Sequence, residues 1–312
     1  MSGRILQNLD DLADAFRAET VDPETHGEVL VAIRDFATRY AHLEKLSLGH
    51  VFLPIPVHLL EEGDSLPEDP LEIAEVVAER ERQRLGIGDR EAGDVMRLLD
   101  RESLKVYRPR FPERSPVEGI FLFDRDVGPL LVVNGNLGAL DADFLLARLY
   151  GHYLLDNDPY RIRIAVERGT NGSTVPLRAN AFASAFLVGR EGLARYLEAA
   201  GWREGDALSA ELVEQLALYF EVGYRTLLTR LLAKGTIPAG RVPELLHALR
   251  NARDPELSQR GTSAVPERFT RLALEAHARG DLTLKSLALY LETDAGGARA
   301  LAARFSMDSG GT

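Results

Sequence analysis

The feature that most constrains the fold of this chain is the apolar stretch at residues 141–158, DADFLLARLYGHYLLDND. At helical period its apolar side chains cover nearly the whole circumference, which is typical of a helix buried on almost every side. The polar exceptions Arg148, His152 and Asp156 follow each other at intervals of four, so they share one face. A surface helix with a thin polar face would give a similar pattern. The stretch therefore predicts a central helix with one narrow polar stripe.

The composition indicates a soluble globular protein. Of the 312 residues, 45% are hydrophobic and 27% are charged, which are ordinary proportions for this class. The net charge of -11 argues against a general polyanion binder, and the lack of cysteine excludes disulfides and thiolate metal sites. The sequence shows neither an apolar signal segment nor a run of about 18 apolar residues, so we expect a cytoplasmic protein without membrane contact.

Breakers and changes of period divide the chain into consecutive regions. Prolines and acids in the LPIPV and EEGDSLPEDP segments predict a connector, and most later segments have helical spacing. The predicted regions are N-terminal helices at 1–65, a core at 66–200, a helix-turn-helix-like unit at 201–240, a helical module at 241–306 and a tail at 307–312.

A short β-rich part precedes the central helix. LKVYRPRF at 104–111, VEGIFLFD at 117–124 and GPLLVVNG at 128–135 are β-branched and aromatic runs, and Asp124 to Gly128 reads as a hairpin turn. The polar, glycine-containing segment 156–175 is predicted to be a loop. Together with the helical remainder, these runs predict an α+β, mostly helical protein with a small sheet.

With its flanks, the central stretch resembles the core helix of the ImmA/IrrE family of zinc metallopeptidases. FLLARLYGHYLL at 144–155 matches the family phrase F-x-L-A-H-E-x-G-H-x-L-L, and PLRANAFA at 176–183 matches E-x-x-A-N-x-F-A. VEGIFLFD and VVNG precede them in the same order as in the family. The resemblance covers about residues 70–235. It implies a zincin-like core, a small antiparallel sheet plus helices, with N-terminal helices and a C-terminal helical region.

The family's catalytic positions are altered in this chain. In the family, two histidines hold zinc, the glutamate after the first acts as the base, and a glutamate on the next helix completes the ligands. Arg148, Leu149 and Pro176 stand at three of these positions, and only His152 remains. Arginine has no lone pair to give and leucine cannot take a proton. We therefore expect no zinc, no other cofactor and no catalytic residue.

The resemblance also implies a function. Family members cleave a partner repressor and thereby switch on prophage, mobile-element or stress genes. The altered positions predict a catalytically inactive pseudopeptidase, a regulatory protein that binds a protein partner, for example a repressor-type regulator, by strand addition to residues 117–134. The candidate binding residues are Arg148, Tyr150, His152 and Asp156, with Arg148 pairing with Asp156 or with a carboxylate or phosphate of the ligand.

Two other interpretations remain open. The first is a transcription regulator that contacts DNA through the helix-turn-helix-like segment 209–235 and the C-terminal helices. The basic residues that would serve it are Arg225, Arg230, Lys234, Arg268, Arg271, Arg279, Lys285, Arg299 and Arg304. The second is a weakly active or metal-independent hydrolase, with His152 as the base and Tyr150 or Tyr153 as helpers.

Overall fold

The computed structural model describes residues 11–52, 67–155, 162–166, 174–250 and 263–309. Within them the helices are α1 (Leu12–Ala18), α2 (Gly27–Leu48), α3 (Pro70–Arg84), α4 (Val95–Arg101), α5 (Ala139–Leu155), α6 (Thr174–Leu187), α7 (Arg190–Ala199), α8 (Ala210–Phe220), α9 (Tyr224–Ala233), α10 (Arg241–Leu249), α11 (Glu267–Ala278), α12 (Leu284–Tyr290) and α13 (Ala295–Ser309). The strands are β1 (Lys105–Tyr107), β2 (Val117–Asp124), β3 (Gly128–Val133) and β4 (Arg163–Val166). The predicted α+β, mostly helical class is confirmed. Among the described helices, none has the length and apolar character needed to cross a membrane.

The four strands form one sheet in the order β1-β3-β2-β4. The hairpin between β2 and β3 is confirmed, and Asp124 Oδ1 accepts the amide of Asp126 at 2.7 Å inside its turn. The predicted sheet was antiparallel, but β1 runs parallel to β3, with Val106 opposite Leu131. The sheet is mixed because β1 pairs with the second strand of the hairpin rather than the first.

Strand β4 corrects the prediction of a continuous loop over 156–175. It pairs antiparallel with β2, and Ile164 lies opposite Ile120. Only four residues long, it carries too little alternation to stand out within a polar segment. The apolar edge of β2 supplies the partner, so the strand is decided by tertiary pairing rather than by its own sequence.

One face of the sheet is covered by α5, which packs in turn against α6 and α3. Gly151 allows α5 to approach α6 closely, because a Cβ there would lie 2.8 Å from the Phe182 ring. Gly119 in β2 plays the same part beneath the helix, where a Cβ would meet Leu145 at 2.8 Å. Helix α5 is therefore clamped between sheet and helices, as its apolar circumference predicted.

The opposite face of the sheet is covered by both ends of the chain. Helices α1 and α2 share one hydrophobic core with α11, α12 and α13. Phe36 of α2 stacks on Tyr107 of β1 with ring centroids 4.2 Å apart, and Phe269 of α11 lies 5.0 Å from Phe36. The N-terminal helices and the C-terminal module thus pack as one layer behind the sheet that supports α5.

Candidate functional site

The candidate site lies along the polar stripe of α5. Arg148 is half-buried there, and its Nε is buried without a hydrogen-bond partner among the described residues. The described residues offer its guanidinium no ion pair; the charge that acts on it is the carboxylate of Glu118 in β2. Burial lowers the pKa of Arg148, and the Glu118 carboxylate opposes that shift. Helix α5 therefore carries a partly desolvated positive charge. The Glu118 carboxylate acts on this charge without forming an ion pair with it.

The residues that follow Arg148 point into the core. Leu149 is 1% exposed among apolar neighbours. The Tyr150 hydroxyl donates to Glu81 Oε1 of α3 at 2.5 Å, and Arg84 Nε donates to the same carboxylate at 2.9 Å. Burial, together with the Glu81 charge, raises the pKa of Tyr150 well above its usual value. Tyr150 is thus placed in a buried polar network rather than at a binding surface.

The rest of the predicted set is placed only in part. His152 lies one turn beyond Arg148 on the same face and is 6% exposed. Asp156 lies outside the described residues. Pro176 is in the first turn of α6, and its side chain is likewise outside the described part. Of the predicted residues, Arg148 and His152 are therefore the two that the described structure brings together.

The residues at this site do not fit a catalytic zinc ion. Zinc in such sites takes three protein ligands plus a water. Arg148 and Leu149 occupy two of the positions with side chains that can neither ligate nor accept a proton. Across the described ranges, no group of three or more histidine, aspartate or glutamate side chains is arranged to hold a metal ion. The arrangement can instead offer a guanidinium to an anion.

Sequence reasoning missed both carboxylates of this region. Glu118 is a polar residue inside an apolar strand, where β2 has an irregular register against β4. Glu81 follows Val77 and Ala78 at helical spacing, so it lies on the buried face of α3 and is 1% exposed. An acid on the apolar face of a predicted helix is a signal for a buried polar partner, and here that partner is Tyr150.

The sheet does not offer the edge that strand addition to residues 117–134 requires. Strand β2 is paired with β3 and β4, and β3 is paired with β1 and β2. Both predicted acceptor strands are therefore interior. Within the described structure, the outer strands of the sheet are β1 and β4.

Several basic side chains assigned to DNA contact are used inside the protein. Arg230 of α9 is fully buried and pairs with Glu75 at 2.9 Å, and Lys234 pairs with the same carboxylate at 3.2 Å. In the C-terminal module, Arg268 donates to Glu44 at 2.6 Å. These cations hold α9 against α3 and α11 against α2. Their charges are already matched within the fold.

The comparisons with known proteins locate this site within one domain. Residues 105–232 match the family model described as the IrrE N-terminal-like domain (Peptidase_M78). The match begins at β1 and ends in α9. It therefore contains α5 and α6, and with them the motif segments 144–155 and 176–183. No curated protein matches the chain.

Proposed function

The domain at residues 105–232 belongs to the ImmA/IrrE family, and from that premise we propose that this protein is a catalytically inactive member that regulates by binding a protein partner. The observation that carries the proposal is the half-buried Arg148 guanidinium at the position of the first zinc-binding imidazole. Leu149 and Pro176 at the base and third-ligand positions agree with it. The proposed activity is recognition without cleavage.

Arg148 is suited to bind an acidic group of the partner. Removing a charge from water is unfavourable unless a partner restores the lost interactions. The described residues give Arg148 no ion pair, so a carboxylate or phosphate of the ligand would gain charge-assisted hydrogen bonds there. Glu118 lowers the net positive charge nearby, and we propose that it sets how strongly such an anion is held.

An extended partner segment would lie along β4 in this proposal. The interior strands β2 and β3 are both fully flanked, whereas β4 is an outer strand of the sheet and is next to β2. Strand addition uses the unpaired backbone groups of an outer strand and takes its specificity from neighbouring side chains. Arg148 and Glu118 would then read the side chains of the added segment.

The hydrolase interpretation receives less support than recognition. The Tyr150 hydroxyl donates a hydrogen bond to Glu81. Tyr153 is a buried side chain whose pKa is raised by burial. A tyrosine whose ionisation is suppressed in this way is a poor proton acceptor. Neither tyrosine is therefore a suitable helper for His152.

The DNA interpretation also loses part of its basis. Arg230, Lys234 and Arg268 are paired with glutamates within the fold. Side chains so engaged are not available to phosphate without breaking buried ion pairs. The acidic total charge points the same way. Absence of a salt-dependent shift with duplex DNA would remove this interpretation.

Metal content tests the loss of catalysis. Elemental analysis of the purified full chain is expected to find no stoichiometric zinc, and the protein should not cleave protein substrates. The matched variant combines Arg148→His, Leu149→Glu and Pro176→Glu, which restores the family's donor set and should gain zinc. Near-stoichiometric zinc in the wild type, lost in His152→Ala and accompanied by chelator-sensitive turnover, would refute the proposal.

Partner capture tests recognition. The full chain, Arg148→Met and the control Arg299→Met would be used as baits in extracts of the native host, and the affinity of each retained protein would be measured after purification. We expect a partner bound by the wild type and the control but at least about tenfold more weakly by Arg148→Met. Equal affinity for all three baits would assign Arg148 no role in binding.

A further inference from the structure

A cavity lies at the N-terminal end of α5. Its volume is about 910 Å³, and it is bounded by α2, the end of β1 and the loop before α5. We infer that it binds a small anionic molecule, a carboxylate or phosphate monoester with an apolar body, through Arg108. This site does not include Arg148, and it goes beyond the partner-binding proposal.

Arg108 is a half-buried cation without a counterion in the described structure. One guanidinium nitrogen, Nη2, donates to the carbonyl oxygen of Leu137 at 2.5 Å, while Nε is buried and has no hydrogen-bond partner in the part of the chain that the structure describes. Burial lowers the pKa of Arg108, and the opposing charge of Asp94 forms no ion pair with it. A guanidinium in this state gains most from an anion that brings paired acceptor oxygens.

The backbone around the cavity favours the same sign of ligand charge. Gly138 and Ala139 line it at the first turn of α5, a helix of 17 residues whose N-terminal dipole is positive. The loop is held against the arginine segment, because the amide of Gly135 donates to the Pro109 carbonyl at 2.7 Å. A Cβ at Gly135 would lie 2.8 Å from that oxygen, so the close contact requires glycine.

The carboxylates on the cavity wall do not supply the missing counterion. Glu292 is paired with Arg39 at 3.2 Å and accepts the Tyr107 hydroxyl at 3.0 Å. Glu28 is exposed in the first turn of α2. The basic end of the cavity, formed by Arg108 and the exposed Arg110, is therefore the end that can accept an anion.

The walls and the size define the rest of the ligand. The apolar side chains that line the cavity include Val29, Ala32 and Leu137. A volume of about 910 Å³ lies in the range of pockets that enclose small molecules, roughly 300–1,000 Å³. An aryl or alkyl body of modest size would cover these walls while its anionic head contacts Arg108.

Calorimetric titration of the full chain tests this site with phenyl phosphate, benzoate and phenol as probes. We expect saturable binding of at least one anion and none of phenol, and the two anions distinguish a phosphate site from a carboxylate site. Arg108→Gln should weaken the bound anion by about tenfold or more, the size of one lost charge-assisted interaction. The exposed Arg299→Gln should bind like the wild type.

A second variant keeps the test decisive if Arg108→Gln is poorly folded. Ala139→Phe leaves Arg108 in place and fills the cavity at the helix start, so it should abolish binding while the melting temperature stays near that of the wild type. Failure of the wild type to bind either anion saturably, or undiminished binding by either variant, would overturn the inference. Because Arg148 is unchanged throughout, the outcome is separate from partner recognition.

Discussion

Two regions of the molecule bury arginine in opposite ways. At the junction of α3, α6 and α9, Arg230 pairs with Glu75 and Glu79 and donates to the Val188 carbonyl at 3.0 Å. On the polar stripe of α5, Arg148 is half-buried beside Glu118 but forms no ion pair with a described residue. The first guanidinium has carboxylate and carbonyl partners within the fold, whereas none of the described residues forms an ion pair with the second.

Arg82, like Arg230, is a buried arginine with several acceptors within the fold. It is 1% exposed, and its guanidinium donates to the carbonyls of Phe186, Gly88 and Arg90 at 2.5 to 2.6 Å. These bonds join α3 to the end of α6 and to the loop after α3, and of the three guanidinium nitrogens only Nε lacks a hydrogen-bond partner among the described residues. Burial alone therefore does not identify a functional cation in this protein. The number of acceptors that the fold provides separates a structural arginine from one that can serve a ligand.

The largest expected effect is at the paired region. Arg230→Met should lower the free energy of unfolding by about 3–5 kcal/mol, because it leaves the carboxylates of Glu75 and Glu79 without their buried partner. Urea unfolding of the full chain measures this, with Arg299→Met as the exposed control. A loss similar to that of the control would mean that the junction does not depend on the ion pairs.

Another buried cation, Lys105, makes stability depend on pH. It is fully buried 3.1 Å from Glu44, and burial lowers its pKa from 10.5 to about 8. Between those values the unfolded chain holds a proton that the folded protein has released, so stability should rise with pH. The gain is at most about 3 kcal/mol.

Unfolding measured from pH 7 to about 9.5, below the range in which tyrosines of the unfolded chain ionise, isolates this contribution when wild type and Lys105→Met are compared. The upward slope should be present in the wild type and absent in the variant, since Glu44 keeps its bond to Arg268 in both. Parallel stability curves for the two proteins would show that burial of Lys105 has little effect on its ionisation.

A smaller effect is expected where α5 meets α6. Gly151→Ala should destabilise the fold by about 1–3 kcal/mol, because the new Cβ would lie 2.8 Å from the Phe182 ring. The substitution disturbs the helix that carries Arg148 but leaves the ion pairs of Arg230 in place, so it separates the two regions. Thermal unfolding measures the change, and a melting temperature equal to that of the wild type would contradict the close packing.

The smallest stability effect is expected at Arg148 itself. Arg148→Met should change the free energy of unfolding by less than about 1 kcal/mol, because it removes a half-buried charge that forms no ion pair with a described residue and keeps most of the apolar stem. Urea unfolding beside Arg230→Met gives the direct contrast. Equal losses of unfolding free energy in the two variants would contradict this distinction and show that Arg148 is a structural residue.

Much of the fold could be predicted from local patterns. The apolar circumference of the α5 segment predicted its burial, and the run from Asp124 to Gly128 predicted the hairpin. These features depend on neighbours a few residues apart, so the sequence displays them directly. Strand β4 and the parallel placement of β1 depend on partners far along the chain, and local patterns do not contain them.

The candidate site divides in the same way. Arg148, Leu149 and Pro176 are visible in the sequence, and their chemistry alone rules out the family's zinc ligands at those positions. Glu118 beside Arg148 and Glu81 beneath Tyr150 were not predicted, because each approaches α5 from a different element.

The order of residues alone fixes which side chains stand on the central helix. It therefore also fixes which metal chemistry they cannot perform, because covalent structure sets a side chain's donors and acceptors. Which arginines form ion pairs with carboxylates or donate to carbonyls, and which form none with the described residues, depends on the three-dimensional fold. That distinction depends on distances of a few ångströms between segments far apart in the chain, as between Arg230 and Glu75. Desolvation and pairing act over such distances in space and leave no mark on the order of residues.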